Sequence, residues 1–408
     1  MIALALTWRP SIAPLVAAPT FPSEQIARGA TLAKLGDCSV CHTTDDGRLF
    51  AGGRAIATPF GTIYASNITP DRRTGIGAWP VEAFRRAMTA GVSRDGHRLY
   101  PALPYEHFTH VEAADLDDLY AFLMTRTPVE AKTPGNRLIP PLGFRPLLAG
   151  WQMLFLHKGP TSPDPSRSAA GNRGAYLVEG LGHCGACHTP RNALGAEDGA
   201  KAYAGAPIDG WRAPALDGHN PALRPWTQDT LYTYFKTGLS ADHSAAGGPM
   251  GPVVQDLSSL PDSDLRAIAL YISSQMPAAA PTKSVPSIDH AAAAAQAFPQ
   301  GARLFSGAGA CAGCHDSGAP MMGQGRPDLS LASDVRDDDP TSAAAAIVGG
   351  IAPPVAGRGP LMPPFGDSLT DFQAAAVLAY VRARYSDRPA WRDLPNHVHK
   401  ARKEGATS

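Results

Sequence analysis

Apolar positions recur at helical spacing in three separate stretches of the chain. They include Leu116, Leu119 and Leu123 in the first, Leu265, Ile268 and Ile272 in the second, and Val377, Leu378 and Val381 in the third. Each stretch ends in an aromatic followed by an aliphatic: Phe122-Leu123, Tyr271-Ile272 and Tyr380-Val381. The pattern predicts helices over 114–123, 263–272 and 370–381, with Asp or Thr near the start suited to capping. Upstream of each lies a shorter helical pattern carrying Gly, Ala and a large apolar residue: Ala27–Leu32, Asn172–Leu177 and Gln300–Phe305. A Gly-rich turn follows each one.

A unit of opening helix, turn and closing helix therefore occurs three times. Its interval is far longer than the roughly 20–50-residue period of a solenoid, so the units are expected to be domains. The expected limits are 23–157, 170–277 and 298–386, mainly α, with short helices joined by long loops. Gly159–Pro165 reads as the first linker. Met276–Pro299, with Pro277, Pro281, Pro286 and the Ala291–Ala295 run, reads as the second. Residues 387–408 read as a tail without an apolar face.

Composition changes this picture in one way. With 41 Gly and 39 Pro but only 7% aromatic residues, the chain is poor in material for three ordinary cores. Bound cofactors are expected to fill them. Net charge is zero, from 36 basic and 36 acidic residues, which excludes an electrostatic footprint for nucleic acid. No run approaches the roughly 18 apolar residues of a membrane span.

The cysteines name the cofactor. All six fall in three pentapeptides, Cys38-Ser39-Val40-Cys41-His42, Cys184-Gly185-Ala186-Cys187-His188 and Cys311-Ala312-Gly313-Cys314-His315, one behind each opening helix. C-x-x-C-H is the attachment pattern of c-type haem. Residues i and i+3 share a helix face, so both thiols reach the two vinyl groups on one porphyrin edge. The adjacent His then offers its imidazole to the iron. A structural zinc site would need four ligands converging on one ion, and a redox dithiol would not need His in every copy. Three haem c groups are expected, held by Cys38, Cys41, Cys184, Cys187, Cys311 and Cys314, with His42, His188 and His315 as proximal ligands.

On the opposite side of an electron-transfer haem, a Met sulfur raises the potential. Gly248-Pro249-Met250-Gly251-Pro252 and Leu361-Met362-Pro363-Pro364 place Met250 and Met362 in Pro-flanked segments read as non-helical loops ahead of the closing helices. Met321 and Met322 lie close behind the third motif and read as packing residues. The corresponding loop of the first repeat, Tyr100-Pro101-Ala102-Leu103-Pro104-Tyr105, has Leu, which cannot ligate iron. Met88 and His107 head the replacements; His97, His110, Met124 and a five-coordinate iron stay open.

The chain resembles the three-haem cytochrome c subunits of bacterial membrane-bound dehydrogenases, from about residue 23 to 386. The carrying segments are Thr58-Pro59-Phe60-Gly61-Thr62-Ile63-Tyr64-Ala65-Ser66-Asn67-Ile68-Thr69-Pro70-Asp71, Thr74–Trp79, Asp95–Ala102 and Cys187-His188-Thr189-Pro190-Arg191-Asn192. The resemblance implies three class I cytochrome c domains. These would pass electrons from a catalytic dehydrogenase subunit to ubiquinone or a terminal oxidase. Leu103 in place of the family's Met tilts the expected partner towards a molybdenum hydroxylase or aldehyde dehydrogenase with an iron–sulfur subunit. A quinone-dependent (PQQ) alcohol or FAD sugar dehydrogenase is the alternative, and a haem enzyme working at an open first iron is an alternative of another class. Trp79, Trp151, Trp211 and Trp226 read as packing residues, Asp115–Asp118 as a helix start and Asp337–Asp339 as a solvated loop. No dinucleotide fingerprint, P-loop, zincin motif or nucleophile elbow occurs, so an electron carrier rather than an enzyme is expected.

Covalent haem attachment takes place outside the bacterial cytoplasm, so a periplasmic location at the inner membrane is expected. Met1–Leu6 is apolar, but Trp8-Arg9-Pro10 interrupts it. Residues 1–22 read as the remnant of a longer signal or anchor.

Overall fold

The computed structural model describes residues 9–44, 46–243, 245–276, 287–307, 311–316, 318–319, 328–353, 355 and 362–405. The chain is helix-rich, with five short strands among the described residues. Backbone contacts divide it into two compact units, 1–186 with 192–196, and 187–191 with 197–408.

In the first unit, α1 (Ser23–Leu35) carries the opening pattern, α2 (Cys38–His42) the first motif, and the closing helix spans Ala113–Met124. The Gly in the opening pattern has a steric reason. A Cβ on Gly29 would stand 1.9 Å from the Asp118 carbonyl oxygen, so α1 and the closing helix cross with their backbones touching. The crossing is pinned by Arg28, whose Nε donates to the buried Asp118 carboxylate at 2.6 Å. Asp118, in the first turns of a helix that starts where the sequence placed it, is thus an interior ion-pair partner. The strands β1 (Ala55–Thr58), β2 (Gly61–Tyr64) and β3 (Arg137–Leu138) form an antiparallel sheet, Ala55 opposite Tyr64 and Thr62 opposite Arg137.

Residues from the expected leader run along this unit: Ile12 N–H donates to Arg94 O at 2.8 Å and Leu15 N–H to Ala78 O at 3.0 Å. Helix Ala169–Glu179 opens the second repeat in sequence and belongs to the first unit by its contacts. Its Tyr176 hydroxyl donates to Asp115 at 2.6 Å.

The second unit repeats the crossing. A Cβ on Gly301, in helix Pro299–Ser306, would lie 2.1 Å from Ala376 O in the closing helix Asp371–Tyr385. Of the three closing helices, this one has a side-chain cap: Thr370 and Gln373 form a reciprocal capping box. The other two begin after Glu112 and Pro261, with acidic residues in the first turn facing the helix dipole. Phe305, Ala344, Tyr380, Tyr385 and Val398 build the core.

Three expectations change here. The Ala291–Ala295 run is not linker but part of helix Ala291–Ala297, whose Ala294 is buried in this core. The segment beyond 387 is not a tail without an apolar face: Leu394–Gly405 is a helix burying Leu394, Val398 and Ala401. Asp337 is likewise not solvated, its side chain largely buried beside Arg212 and its carbonyl accepting from Trp391 Nε1 at 2.8 Å and Arg382 Nη1 at 2.9 Å, while Asp338 is exposed as expected.

Gly29→Ala and Gly301→Ala are each expected to cost about 1–3 kcal/mol or more, because the added methyl meets main chain that has no rotamer to yield. Urea unfolding of each variant checks this; an unchanged midpoint would mean the helices do not cross this closely.

Candidate haem-binding sites

Each motif sits on a single helical turn: Cys38–His42, Gly185–His188 and Ala312–His315. A feature that the sequence did not announce precedes the first two. Asp37 (φ 46°) and His183 (φ 37°) both adopt left-handed backbone directly before the first Cys. This reverses the chain out of the preceding turn and starts the ligating turn abruptly. The residues before Cys311 lie outside the described set.

The proximal imidazoles supply the test of whether haem iron fits. His42 Nδ1 lies 2.6 Å from Ser66 O, and His188 Nδ1 lies 2.7 Å from Pro214 O. A backbone carbonyl can only accept, so Nδ1 carries the proton in both rings. Nε2 is then a bare lone pair, the tautomer an iron ligand requires, with the outer hydrogen bond fixing ring orientation. Burial lowers the pKa of both imidazoles and keeps them neutral, as ligation demands. The motif turns and these tautomers fit a covalently bound haem.

The Ser66 carbonyl is held by a network that ties the Ser66–Trp79 segment to Val129. Asn67 Oδ1 accepts from Thr69 N at 2.9 Å and Thr69 Oγ1 at 2.7 Å, while its Nδ2 donates to Thr74 Oγ1 and Val129 O. Gly75 and Gly77 are required: Cβ atoms there would meet Thr69 O at 2.2 Å and Pro70 O at 2.1 Å. Arg54 Nη1 donates to Val40 O at 2.7 Å, tying the approach to β1 to the motif turn. At the third motif, the Tyr385 hydroxyl donates to His315 O at 2.9 Å, and Arg384 pairs with Asp316 and bidentately with Asp289 at 2.8 Å. Residues 320–327, with Met321 and Met322, lie outside the described set.

Met250 is the first residue of helix Met250–Leu257, not part of a non-helical loop. Pro249 just ahead of it was the available signal. Its approach is set by Trp211, whose ring occupies the space a Cβ on Gly248 would need, 2.3 Å from Cε2. Met362 does lie in extended chain, exchanging hydrogen bonds with Ile351 at 2.9 and 3.0 Å.

For the first motif, Leu103 occupies a tight turn, its N–H donating to Tyr100 O at 3.1 Å. Met88 is buried on helix Val81–Ala90, which also buries Phe84. His107 is buried with Nδ1 2.9 Å from Glu179 O, and His110 Nδ1 is 2.9 Å from Gly159 O. His97 pairs with Asp95. Met124 ends the closing helix.

His243 was not singled out by the sequence. It is fully buried, stacks on Trp226 at 3.5 Å and 12°, and neither ring nitrogen has a hydrogen-bond partner among the described residues. Burial holds its imidazole down to about 4, against the pull of Asp242 and with a push from Arg224. Above its ordinary pKa the ring is neutral folded or unfolded. Below it, only the unfolded chain gains the proton, so stability falls as pH drops from 6.5 towards 4. His243→Phe is expected to remove roughly 2 kcal/mol of the stability difference between pH 7 and pH 5. Asp334, pushed up to about 6 by burial and Asp337, acts in the opposite sense but is common to both proteins. Denaturant unfolding at the two pH values checks this, and parallel losses in both proteins would refute it.

Among the described residues, no group of three or more His, Cys, Asp or Glu side chains could hold a metal ion by itself. A family model described as cytochrome c oxidase, cbb3-type, subunit III matches residues 296–381. The chain is 46% identical, over 98% of its length, to a subunit of nicotinate dehydrogenase from Pseudomonas putida, and covers 34% of that protein. It is 36% identical to the fructose dehydrogenase cytochrome subunit of Gluconobacter japonicus, covering 92% of this chain and 83% of that one. It is 38% identical to the gluconate 2-dehydrogenase cytochrome c subunit of Pantoea cypripedii, covering 89% and 86%. The chain thus spans about a third of the first relative and most of the other two.

Proposed function

Since the chain belongs to the family of cytochrome c subunits of membrane-bound dehydrogenases, we propose that it is a three-haem electron carrier serving a periplasmic dehydrogenase at the inner membrane. Its redox role is that of an electron-transfer subunit, not a catalytic one. The observation that carries the reading is the pair of His rings whose Nδ1 atoms face the Ser66 and Pro214 carbonyls.

Haem supplies reversible one-electron chemistry at iron. The protein does the rest. Cys38 and Cys41, Cys184 and Cys187, and Cys311 and Cys314 would attach the three groups, with His42, His188, His315, Met250 and Met362 as the residues that would ligate iron. Each group would anchor one of three repeats, the third running from the Ala291–Ala297 helix to the Leu394–Gly405 helix that share its core. The carbonyl bonds fix the orientation of the His42 and His188 rings and keep the proton on Nδ1, which would leave Nε2 free for iron.

The partner we propose is a molybdenum hydroxylase with an iron–sulfur subunit, acting on an aldehyde or N-heterocycle, and the acceptor is ubiquinone or a terminal oxidase. The likeness to a nicotinate dehydrogenase subunit and Leu103 support this choice. Purifying the native protein from membranes and identifying the co-purifying large subunit tests it. Molybdenum with iron–sulfur clusters supports it; a quinone or flavin cofactor places the chain with the alcohol and sugar dehydrogenases.

Leu103 also favours one second reading, in which the first iron keeps an open position for chemistry. Carbon monoxide then binds quickly to one haem of the reduced protein; slow binding at all three rejects it.

A further inference from the structure

Helix Leu148–Phe155 in the first unit buries Leu148 and a polar residue while exposing other apolar side chains. Its polar Gln152 is buried, with Nε2 donating to Ala90 O and Gly91 O at 3.2 Å and Oε1 accepting from Arg98. Its apolar Met153 and Leu154 face outward, 74% and 61% exposed, and Leu147 ahead of it is 47% exposed. Phe144 and Ile139 add 63% and 54% exposed side chains. Leu194, 57% exposed, is fastened beside them by Trp151 Nε1, which donates to its carbonyl at 2.9 Å. Six of the nine large exposed hydrophobics among the described residues therefore belong to this one region. Scattered single apolar residues need no explanation, but a concentration with the polar residue facing inward does.

Charge says what covers it. Residues 131–163 contain no Asp or Glu, yet hold Lys132, Arg137, Arg145, His157 and Lys158, in a chain whose net charge is zero. Exposed apolar side chains and a Trp on one helix, flanked along the chain by basic residues between Glu130 and Asp164, are the pattern of a helix lying in a lipid headgroup layer. A flanking stretch of one sign matches anionic phospholipid. At eight residues the helix cannot span a bilayer, and no helix among the described residues is long and apolar enough to do so.

We propose that this face, centred on Leu147, Met153 and Leu154, docks the cytochrome onto an anionic phospholipid surface. The proposal rests on the membrane location given above and is independent of the haem assignments. The apolar side chains enter the acyl boundary, Trp151 lies at headgroup depth, and Lys132 and Lys158 meet lipid phosphates.

The test is co-sedimentation of the full-length haem-loaded protein, without detergent, with vesicles of phosphatidylcholine alone or with a third phosphatidylglycerol. Wild type is expected to pellet with the anionic vesicles, and less so with neutral vesicles or at raised salt. Met153→Glu/Leu154→Glu is expected to bind roughly tenfold more weakly or worse. Both positions are exposed, so thermal unfolding and the haem spectrum stay as in wild type. Lys132→Glu/Lys158→Glu keeps the apolar face and is expected to lose the preference for anionic lipid. Equal pelleting of wild type and the Met153/Leu154 variant overturns the proposal. So does a wild type that ignores vesicles while that variant no longer co-purifies with the catalytic subunit, which makes the face a protein interface. Reduction of the haems, read separately, reports on electron transfer whichever way the lipid result falls.

Discussion

Met250→Leu is expected to lower the midpoint potential of one haem by on the order of 0.1 V, and Met362→Leu to do the same at a second. Leu nearly conserves the volume of Met, so the exchange removes the sulfur while changing the packing little. The covalent bonds and the proximal His remain, and all three haems stay attached. Both positions are held by backbone rather than by side-chain chance. Met250 starts a helix behind the close approach of Gly248 to Trp211. Met362 is pinned by two main-chain hydrogen bonds to Ile351. Spectroelectrochemical titration resolves the three midpoints. Unchanged midpoints in both variants would overturn the ligand assignment.

Arg384→Gln is expected to lower stability by about 1–3 kcal/mol, the cost of losing charge-assisted hydrogen bonds from a buried guanidinium to carboxylates that keep contact with water. The guanidinium is almost wholly buried on the closing helix. It forks onto Asp289 at 2.8 Å through Nε and Nη2, also meets Asp316, and touches the Tyr380 hydroxyl at 3.2 Å. These bonds raise its pKa further and keep it charged. Asp316 directly follows His315, so Arg384 clamps the third ligating turn to the helix that closes its core. Arg384→Lys recovers only part of the loss, because an ammonium cannot reproduce the planar fork. Chemical unfolding followed by far-ultraviolet circular dichroism and by haem absorbance measures both variants. Coincident wild-type and Arg384→Gln curves would show that the clamp bears no load.

What the sequence showed and what it hid divide along physical lines. Motifs and periodic patterns are local, so the ligating turns, the closing helices and the glycines of the opening patterns could be read directly. The Leu394–Gly405 helix was missed although its apolar residues are correctly spaced, because Leu394, Val398 and Ala401 are diluted among Lys, Arg and His. The Ala291–Ala297 helix reads as linker because an all-Ala stretch has no periodicity, and only Ala294 is buried. The Ser66 and Pro214 acceptors, and the reach of Arg384 to Asp289, are partnerships between distant positions that no local pattern encodes. Leu103 was legible as a departure, but a departure does not name its replacement.

Ser66 and Pro214 meet the proximal rings through peptide oxygens, and a peptide oxygen has no codon. Substituting either residue changes a side chain and leaves the acceptor in place, so the electron-donating strength of His42 and His188 is insulated from the commonest kind of genetic error. The vulnerable positions lie where the main chain would be pushed aside. At Gly75 and Gly77 a single methyl group displaces the segment that carries the Ser66 carbonyl. The fixed orientation of the His42 ring thus depends less on the residue that touches it than on two glycines that do not.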